Sequence, residues 1–180
     1  VRMLESILAG MDLRDKDDIV RWTAVCVGFL FLLRGGECLA HDGTGYDMAQ
    51  VLRGADVTFW KDGKVATDYR EADEISIGIR SSKADIFNAG ASRNHFKSGT
   101  DICVVKMMIA LRDAFPERFA EEQEQPLFRM KGSRVSGKRN FATAEGGALR
   151  RKVWAMAGKK PNVLLLVMDQ ERRWEDLPKE

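Results

Sequence analysis

The feature that most constrains this 180-residue chain is an apolar run from Trp22 to Leu33 that ends in charged side chains. The run leads into the segment LLRGGECLA, which carries Arg34 and Glu37. At about a dozen residues, it is much shorter than the ~20 residues that span a bilayer. Because charged side chains are rarely buried without partners, the pattern predicts a buried core helix whose end presents Arg34 and Glu37.

The composition is typical of a single globular domain, with 44% hydrophobic and 31% charged residues. Three cysteines, an odd number without the spacing of a metal site, predict buried free thiols in a reducing intracellular compartment. We therefore expect no disulfide, no metal site and no cofactor. The N-terminus lacks the pattern of a signal peptide, so we expect no membrane association. Since the chain begins with Val, we also expect an N-terminal portion to be missing.

The first third of the chain has helical periodicity. Apolar residues at spacings of three and four predict a short amphipathic helix over Arg2–Met11. Acidic residues at Asp17 and Asp18 favour a helix start, and we expect this central helix to continue until Gly35 and Gly36 end it. A turn-rich loop follows.

A small antiparallel sheet is predicted next. The segment DVTFWKDGKVAT has a turn signal at Asp62 and Gly63 and predicts a hairpin. Ile75, Ile77 and Ile79 alternate with other residues, as in a half-buried strand. The polar segment from Ser81 to Gly99 lacks a sustained period and predicts a loop or an irregular hairpin.

Two more helices are predicted in the second half. One follows Asp101 and is closed by Pro116, and the other is a basic helix over Glu145–Ala157. Charge is unevenly distributed, because residues 129–160 contain ten Lys or Arg and a single acid, although the whole chain has a net charge of +2. Such a segment is either a solvated surface or a binding surface for a polyanion.

The order of these motifs resembles the catalytic domain of tyrosine recombinases, the phage-integrase-like enzymes, and especially the forms carried by eukaryotic mobile elements. RGGE ends the buried helix, LRGADVTF introduces the sheet, SSKAD follows a strand, TDICVVKMMIALRDAF forms a helix, and QPLFRM comes next. The resemblance covers residues 1–158 and leaves 159–180 as a divergent tail. It implies a mostly helical α+β domain, with a small antiparallel sheet packed against a helical bundle, as in the catalytic core of DNA breaking and rejoining enzymes.

The resemblance also implies roles for individual residues in DNA recombination and integration. Arg34 would bind the phosphate, Glu37 would orient Arg34, and Lys83 would act as a general acid toward the leaving 5′-oxygen. Duplex DNA would be the partner, contacted through its backbone by basic side chains. These side chains are Arg129, Lys131, Arg134, Lys138, Arg139, Arg150, Arg151 and Lys152. The alternative is that these residues form no phosphate-binding site. In that case Arg34 pairs with Glu37 at a helix C-terminus, and Lys83 is solvated.

The chain departs from the family in its last third. Members carry a His-x-x-Arg motif followed by the nucleophilic tyrosine, but the histidines here are His41 and His95, and the tyrosines are Tyr46 and Tyr69. None of these follows the last family-like helix. We therefore expect a truncated or degenerate recombinase that binds DNA without cleaving it.

Two other readings use the same residues differently. A helical protein-interaction domain would direct the basic face toward an acidic protein. Metal-dependent hydrolysis would use His41 and Asp42, but the sequence offers few further ligands and no Gly-rich phosphate loop. The expected location is the nucleus in a eukaryotic host and the cytoplasm otherwise.

Overall fold

Helices and a four-stranded antiparallel sheet make up an α+β fold. The computed structural model describes residues 2–33, 38–39, 51–80, 89–120 and 125–129. The α+β class predicted from the sequence is therefore confirmed for these residues. The basic helix predicted over Glu145–Ala157 and the tail from residue 159 lie outside the described residues.

The first two helices follow the predicted pattern and differ in where the second one ends. Helix α1 spans Arg2–Leu8, and helix α2 spans Lys16–Leu30, with the Asp15 side chain accepting a hydrogen bond from the Asp17 backbone N–H. The N-cap and the acidic first turn confirm the predicted start. The predicted end at Gly35 is wrong, because α2 already ends at Leu30.

A Schellman motif causes this early end. Leu32 has a left-handed backbone with φ of 53°, and its N–H donates to the Phe29 carbonyl oxygen at 3.3 Å. The N–H of Leu33 reaches back to the Gly28 carbonyl oxygen at 3.0 Å. These two bonds satisfy carbonyl groups that a continued helix would have used, so the helix closes without a glycine.

The sheet has the strand order β2-β1-β3-β4, and every pairing is antiparallel. Its strands are β1 (Val57–Lys61), β2 (Lys64–Val65), β3 (Glu74–Ile79) and β4 (Ala91–Phe96). Asp62 and Gly63 both have positive φ, which confirms the predicted hairpin turn. The prediction of β3 from its alternating isoleucines is also confirmed.

Helix α3 spans Val104–Ala114 and packs along α2, as its predicted amphipathic pattern requires. The hydroxyl of Thr23 on α2 donates to the Met107 carbonyl oxygen on α3, and Lys16 donates to Ala114, so the two helices run antiparallel. The core is a single apolar cluster that joins α1, α2, α3 and the inner face of the sheet. Among the described helices, none has both the length and the apolar character that crossing a bilayer requires.

Candidate phosphate-binding site

The residues predicted to carry the site's chemistry, Arg34, Glu37 and Lys83, lie outside the described residues. The structure does describe the chain on either side of them. Leu33 directly precedes Arg34, and Arg80 lies three residues before Lys83. The geometry around these two flanking residues therefore defines the candidate site.

Hydrogen bonds from Arg93 of strand β4 connect the C-terminal end of α2 to the sheet. Nη1 of Arg93 donates hydrogen bonds to the carbonyl oxygens of Phe31 and Leu32, the latter at 3.3 Å. The ring of Phe31 also meets the ring of His95 edge-on, with centroids 5.7 Å apart. A cation at a helix C-terminus is favourable because the last carbonyl groups carry partial negative charge. The end of α2 is thus held against β4.

Two arginines share one carboxylate where β1 begins and β3 ends. Nη2 of Arg80 lies 3.1 Å from Oδ2 of Asp56 and also donates to the Val51 carbonyl oxygen. The backbone N–H of Arg53 donates to Oδ2 of Asp56 at 2.8 Å, and its Nη2 lies 3.3 Å from Oδ1. The Asp56 side chain is only 7% exposed. We call Arg53, Asp56 and Arg80 the arginine cluster, and its formal charge is +1.

Strand register brings these two features to the same end of the sheet. Val57 pairs with Ile77, and Ile77 pairs with Arg93, so the three strands share one row. Asp56 directly precedes β1 and that row, and Arg80 follows the row by three residues, just after the end of β3. The end of α2 and the arginine cluster therefore lie toward the same end of the sheet, with β3 between the two strands that hold them.

The segment QPLFR packs beside the arginine cluster. Arg53 and Pro126 form an isolated antiparallel bridge, and the Leu127 N–H donates to the Leu52 carbonyl oxygen at 2.8 Å. The segments LRGAD and PLF are far apart in the sequence, but they are direct neighbours in the fold. A second close contact occurs at Gly54, where a Cβ atom would come within 1.9 Å of the Arg118 carbonyl oxygen.

Arg129 is the one predicted DNA-contacting residue among the described residues, and it is half-buried. It lies close to Arg118, which is 5% exposed, donates to the Leu127 carbonyl oxygen and stacks on the Phe115 ring. Burial, together with the charge of Arg129, lowers the pKa of Arg118 to about 10. The other seven predicted DNA contacts lie outside the described residues, so this part of the prediction is untested.

Tyr69 lies at the opposite end of the sheet, on the connection between β2 and β3. Its hydroxyl donates to Oδ1 of Asp113 at 2.6 Å, and Arg70 binds the same oxygen at 2.9 Å. The hydrogen bond to Asp113 raises the pKa of the Tyr69 phenol. Tyr69 is thus held by Asp113 at the end of the sheet away from the candidate site.

No sequence pattern predicted the arginine cluster, although the segment LRGADVTF contains two of its members, Arg53 and Asp56. The available signal was positional: Asp56 directly precedes β1 and Arg80 directly follows β3. The start of one strand lies beside the end of its antiparallel neighbour, so opposite charges at these two positions can pair. Among the described residues, no group of three or more His, Cys, Asp and Glu side chains is arranged to hold a metal ion.

Comparisons with protein-family models, with curated proteins and with solved structures found no match to this chain.

Proposed function

We propose that this chain forms a degenerate tyrosine-recombinase-like domain that binds the backbone of duplex DNA without cleaving it. The observation that carries the proposal is the contact of Arg93 with the carbonyl groups of Phe31 and Leu32, directly after α2. This contact holds the chain just before Arg34 at the end of the sheet from which the Lys83 segment departs. A phosphate-binding arginine and a lysine acid have to reach the same phosphodiester, so the arrangement of the residues before Arg34 and before Lys83 supports the proposal.

In the proposed site, Arg34 binds the phosphate through its planar guanidinium, which can donate two hydrogen bonds to one phosphate group. Glu37 orients Arg34. Lys83 has the role of a proton donor toward the 5′-oxygen, which requires hydrogen-bond reach. In a complete recombinase, these groups stabilise the negative charge that develops when a tyrosine attacks the phosphodiester.

The proposal excludes cleavage by these 180 residues because the remaining catalytic groups are missing from the sequence. No His-x-x-Arg motif occurs, and no tyrosine follows Tyr69. Tyr69 itself is bound to Asp113 at the other end of the sheet. Loss of a nucleophile removes nearly all turnover, whereas binding by the remaining cations does not depend on it.

The finer features of the domain are part of the same proposal. We propose a mostly helical core over residues 1–158, with a helical bundle against the sheet, and a separate tail over 159–180. The basic residues between 129 and 160 supply contacts to DNA phosphates. A DNA-binding domain of this kind belongs in the nucleus of a eukaryotic host, or in the cytoplasm otherwise, and derives from a mobile element.

Salt dependence of binding tests the DNA part of the proposal. Fluorescence anisotropy with a labelled duplex is expected to show affinity that falls linearly on a log–log plot against salt concentration. Arg34→Ala and Lys83→Ala are each expected to reduce affinity. Arg14→Ala is the matched control, because its side chain is 95% exposed and precedes the N-terminal end of α2, about 22 Å from the candidate site. If the wild-type chain does not bind duplex DNA, the result would favour a protein-interaction domain instead.

A nicked suicide substrate tests the absence of cleavage. A complete recombinase accumulates a covalent protein–DNA adduct on such a substrate, because the released fragment cannot be religated. We expect this chain to yield no adduct on a denaturing gel, while it still shifts the same substrate on a native gel. A denaturation-resistant adduct that maps to either tyrosine would overturn the proposed inactivity.

A further inference from the structure

Arg118 and Arg129 lie close together beside the QPLFR segment, and each carries a buried nitrogen atom without a partner. Nη1 of Arg118 donates to the Leu127 carbonyl oxygen at 3.1 Å, so its guanidinium contacts the main chain just before Arg129. The Nε atoms of both arginines are buried and have no hydrogen-bond partner among the described residues. Buried donors in folded proteins are nearly always paired with protein, water or an ion. The two Nε–H groups therefore indicate an acceptor that these side chains and the main chain around them do not supply.

Packing fixes the position of the Arg118 guanidinium. Its central carbon lies 3.5 Å from the centroid of the Phe115 ring, and the side chain is 5% exposed. The Arg118 backbone is fixed as well, because its carbonyl oxygen lies against Gly54, where a Cβ atom would come within 1.9 Å. Burial, together with the charge of Arg129, lowers the pKa of Arg118 only to about 10, so the guanidinium remains charged at neutral pH. A buried charge without an acceptor is costly, which favours an anion at this position.

The carboxylates near Arg118 do not provide that acceptor. Oε1 of Glu117 lies 3.9 Å from Nε of Arg118, which is beyond hydrogen-bond distance, and the Glu117 side chain is 59% exposed. The charges of Glu117 and Asp17 both act to raise the pKa of Arg118, but burial and the charge of Arg129 outweigh them. The buried Nε–H of Arg118 therefore keeps its capacity to donate.

We propose that Arg118 and Arg129 bind a small oxyanion of the phosphate class, which accepts hydrogen bonds from both Nε–H groups. A phosphate suits this pair because its several oxygens can accept from two guanidinium groups at once. The low exposure of Arg118 favours a small free anion over a phosphodiester within duplex DNA, because the bulk of a duplex cannot approach a nearly buried group. The inference does not depend on DNA binding, and it gives Arg129 a ligand that the proposed function does not.

The dependence of thermal stability on phosphate tests the site. The melting temperature of the wild-type chain is expected to rise by roughly 5–10 °C when inorganic phosphate is about 100-fold above its Kd, because a ligand that binds only the folded state stabilises it. Arg118→Met and Arg129→Gln are each expected to lose most of this rise and to keep only the general stabilisation by excluded phosphate. Arg70→Gln is the matched control and should keep the full rise, because Asp113 already binds the guanidinium of Arg70. Equal rises in the wild type and in both site variants would overturn the inference.

NMR of the arginine Nε–H groups provides a test in the wild-type chain, which does not depend on how well a variant folds. Titration with inorganic phosphate is expected to shift the Nε–H signals of Arg118 and Arg129 until the site is saturated, and to leave the signal of Arg70 in place. Sodium chloride at matched ionic strength is the control and should not move them. Signals that do not move with phosphate, or that move equally with chloride, would overturn the inference. Shifts caused by duplex DNA but not by free phosphate would overturn it as well.

Discussion

Leu32 shows, at the scale of one residue, how the candidate site is built on an unfavourable backbone conformation. It occupies the left-handed position of the Schellman motif with φ of 53°, and its side chain is 76% exposed. A side chain at this φ costs roughly 1 kcal/mol or more, a cost that glycine avoids. The exposed leucine regains little of this through packing.

Leu32→Gly is therefore expected to stabilise the fold by about 1 kcal/mol, since it removes the left-handed strain and loses little burial. The free energy of unfolding from urea titration measures the change. Leu13→Gly is the control, because Leu13 is 40% exposed and has no positive φ, so glycine there should only destabilise. A lower free energy of unfolding in Leu32→Gly would contradict the conclusion that the left-handed backbone of Leu32 is strained.

Cys26 and Cys103 are both buried free thiols, as the sequence predicted, but their environments differ. Burial, with a further contribution from Cys103, raises the pKa of Cys26 to about 12. Burial alone would also raise the pKa of Cys103, but hydrogen bonds from the N–H groups of Lys106 and Ser98 outweigh it and lower that pKa.

Cys103 is therefore expected to react faster than Cys26 with N-ethylmaleimide near pH 8, because the thiolate is the reactive form. Peptide mass spectrometry after short pulses of reagent distinguishes the two sites. Repeating the pulses in denaturant is the control, where both rates should converge. Equal rates in the native chain would contradict the assigned environments.

At the scale of elements, glycines in two settings should respond in opposite ways to alanine. Gly54 lies in a short 3-10 helix over Gly54–Asp56, where a Cβ atom would meet the Arg118 backbone. Gly28 lies inside α2 with open space around its missing Cβ. Gly54→Ala is expected to destabilise by about 3 kcal/mol, and Gly28→Ala to stabilise by about 0.5–1 kcal/mol through helix propensity. Paired thermal and urea unfolding measure both, and a neutral Gly54→Ala would contradict the close approach.

The β1–β2 hairpin should give a pH-dependent contribution through Asp73. The backbone N–H of Asp62 and the ammonium of Lys61 hydrogen-bond to its carboxylate and lower the pKa of Asp73. The folded state therefore favours the ionised form, so the stabilisation is present above the ordinary pKa near 3.8 and is lost as pH falls through the lower folded value. The difference in unfolding free energy between wild type and Asp73→Asn is expected to shrink in that acid range. If the difference in unfolding free energy between the two chains stays constant with pH, the titration of Asp73 does not contribute to stability and the prediction is wrong.

The elements that the sequence predicted are those whose burial follows their periodicity. β3 was predicted because its isoleucines alternate into the core, and α3 because its apolar residues repeat every three or four positions. The sequence from Ser81 to Gly99 predicts a loop or an irregular hairpin and no regular β4, because ASRNHF is polar and mostly exposed. Pairing with β3, and not burial, defines this strand. The end of α2 was misplaced because its signal is a leucine in a conformation usually reserved for glycine.

At the scale of the whole molecule, the sequence predicted the candidate site residues but not the framework that holds their neighbours. RGGE and SSKAD were recognised as local patterns. The pairing of Asp56 with Arg80, and the contact of Arg93 with α2, join segments 24 and 62 residues apart. The positions of Asp56 before β1 and Arg80 after β3 make their pairing possible, but strand register and helix docking, which the whole core sets, decide whether such distant pairs form.

The contact between Arg93 and α2 is expected to contribute to global stability more than an exposed ion pair does. Arg93→Met leaves the Phe31 carbonyl oxygen without this charged donor, so we expect a loss of about 1.5 kcal/mol in urea unfolding. Arg70→Met is the matched control: Arg70 and Asp113 are 61% and 42% exposed, and such pairs contribute at most about 1 kcal/mol. Arg34, the proposed phosphate-binding residue, follows α2 by four residues in the sequence. Under the proposed function, Arg93→Met is therefore also expected to weaken DNA binding, whereas Arg70→Met is not. Equal effects of the two variants on stability and binding would mean that the α2–β4 contact does not hold the site together.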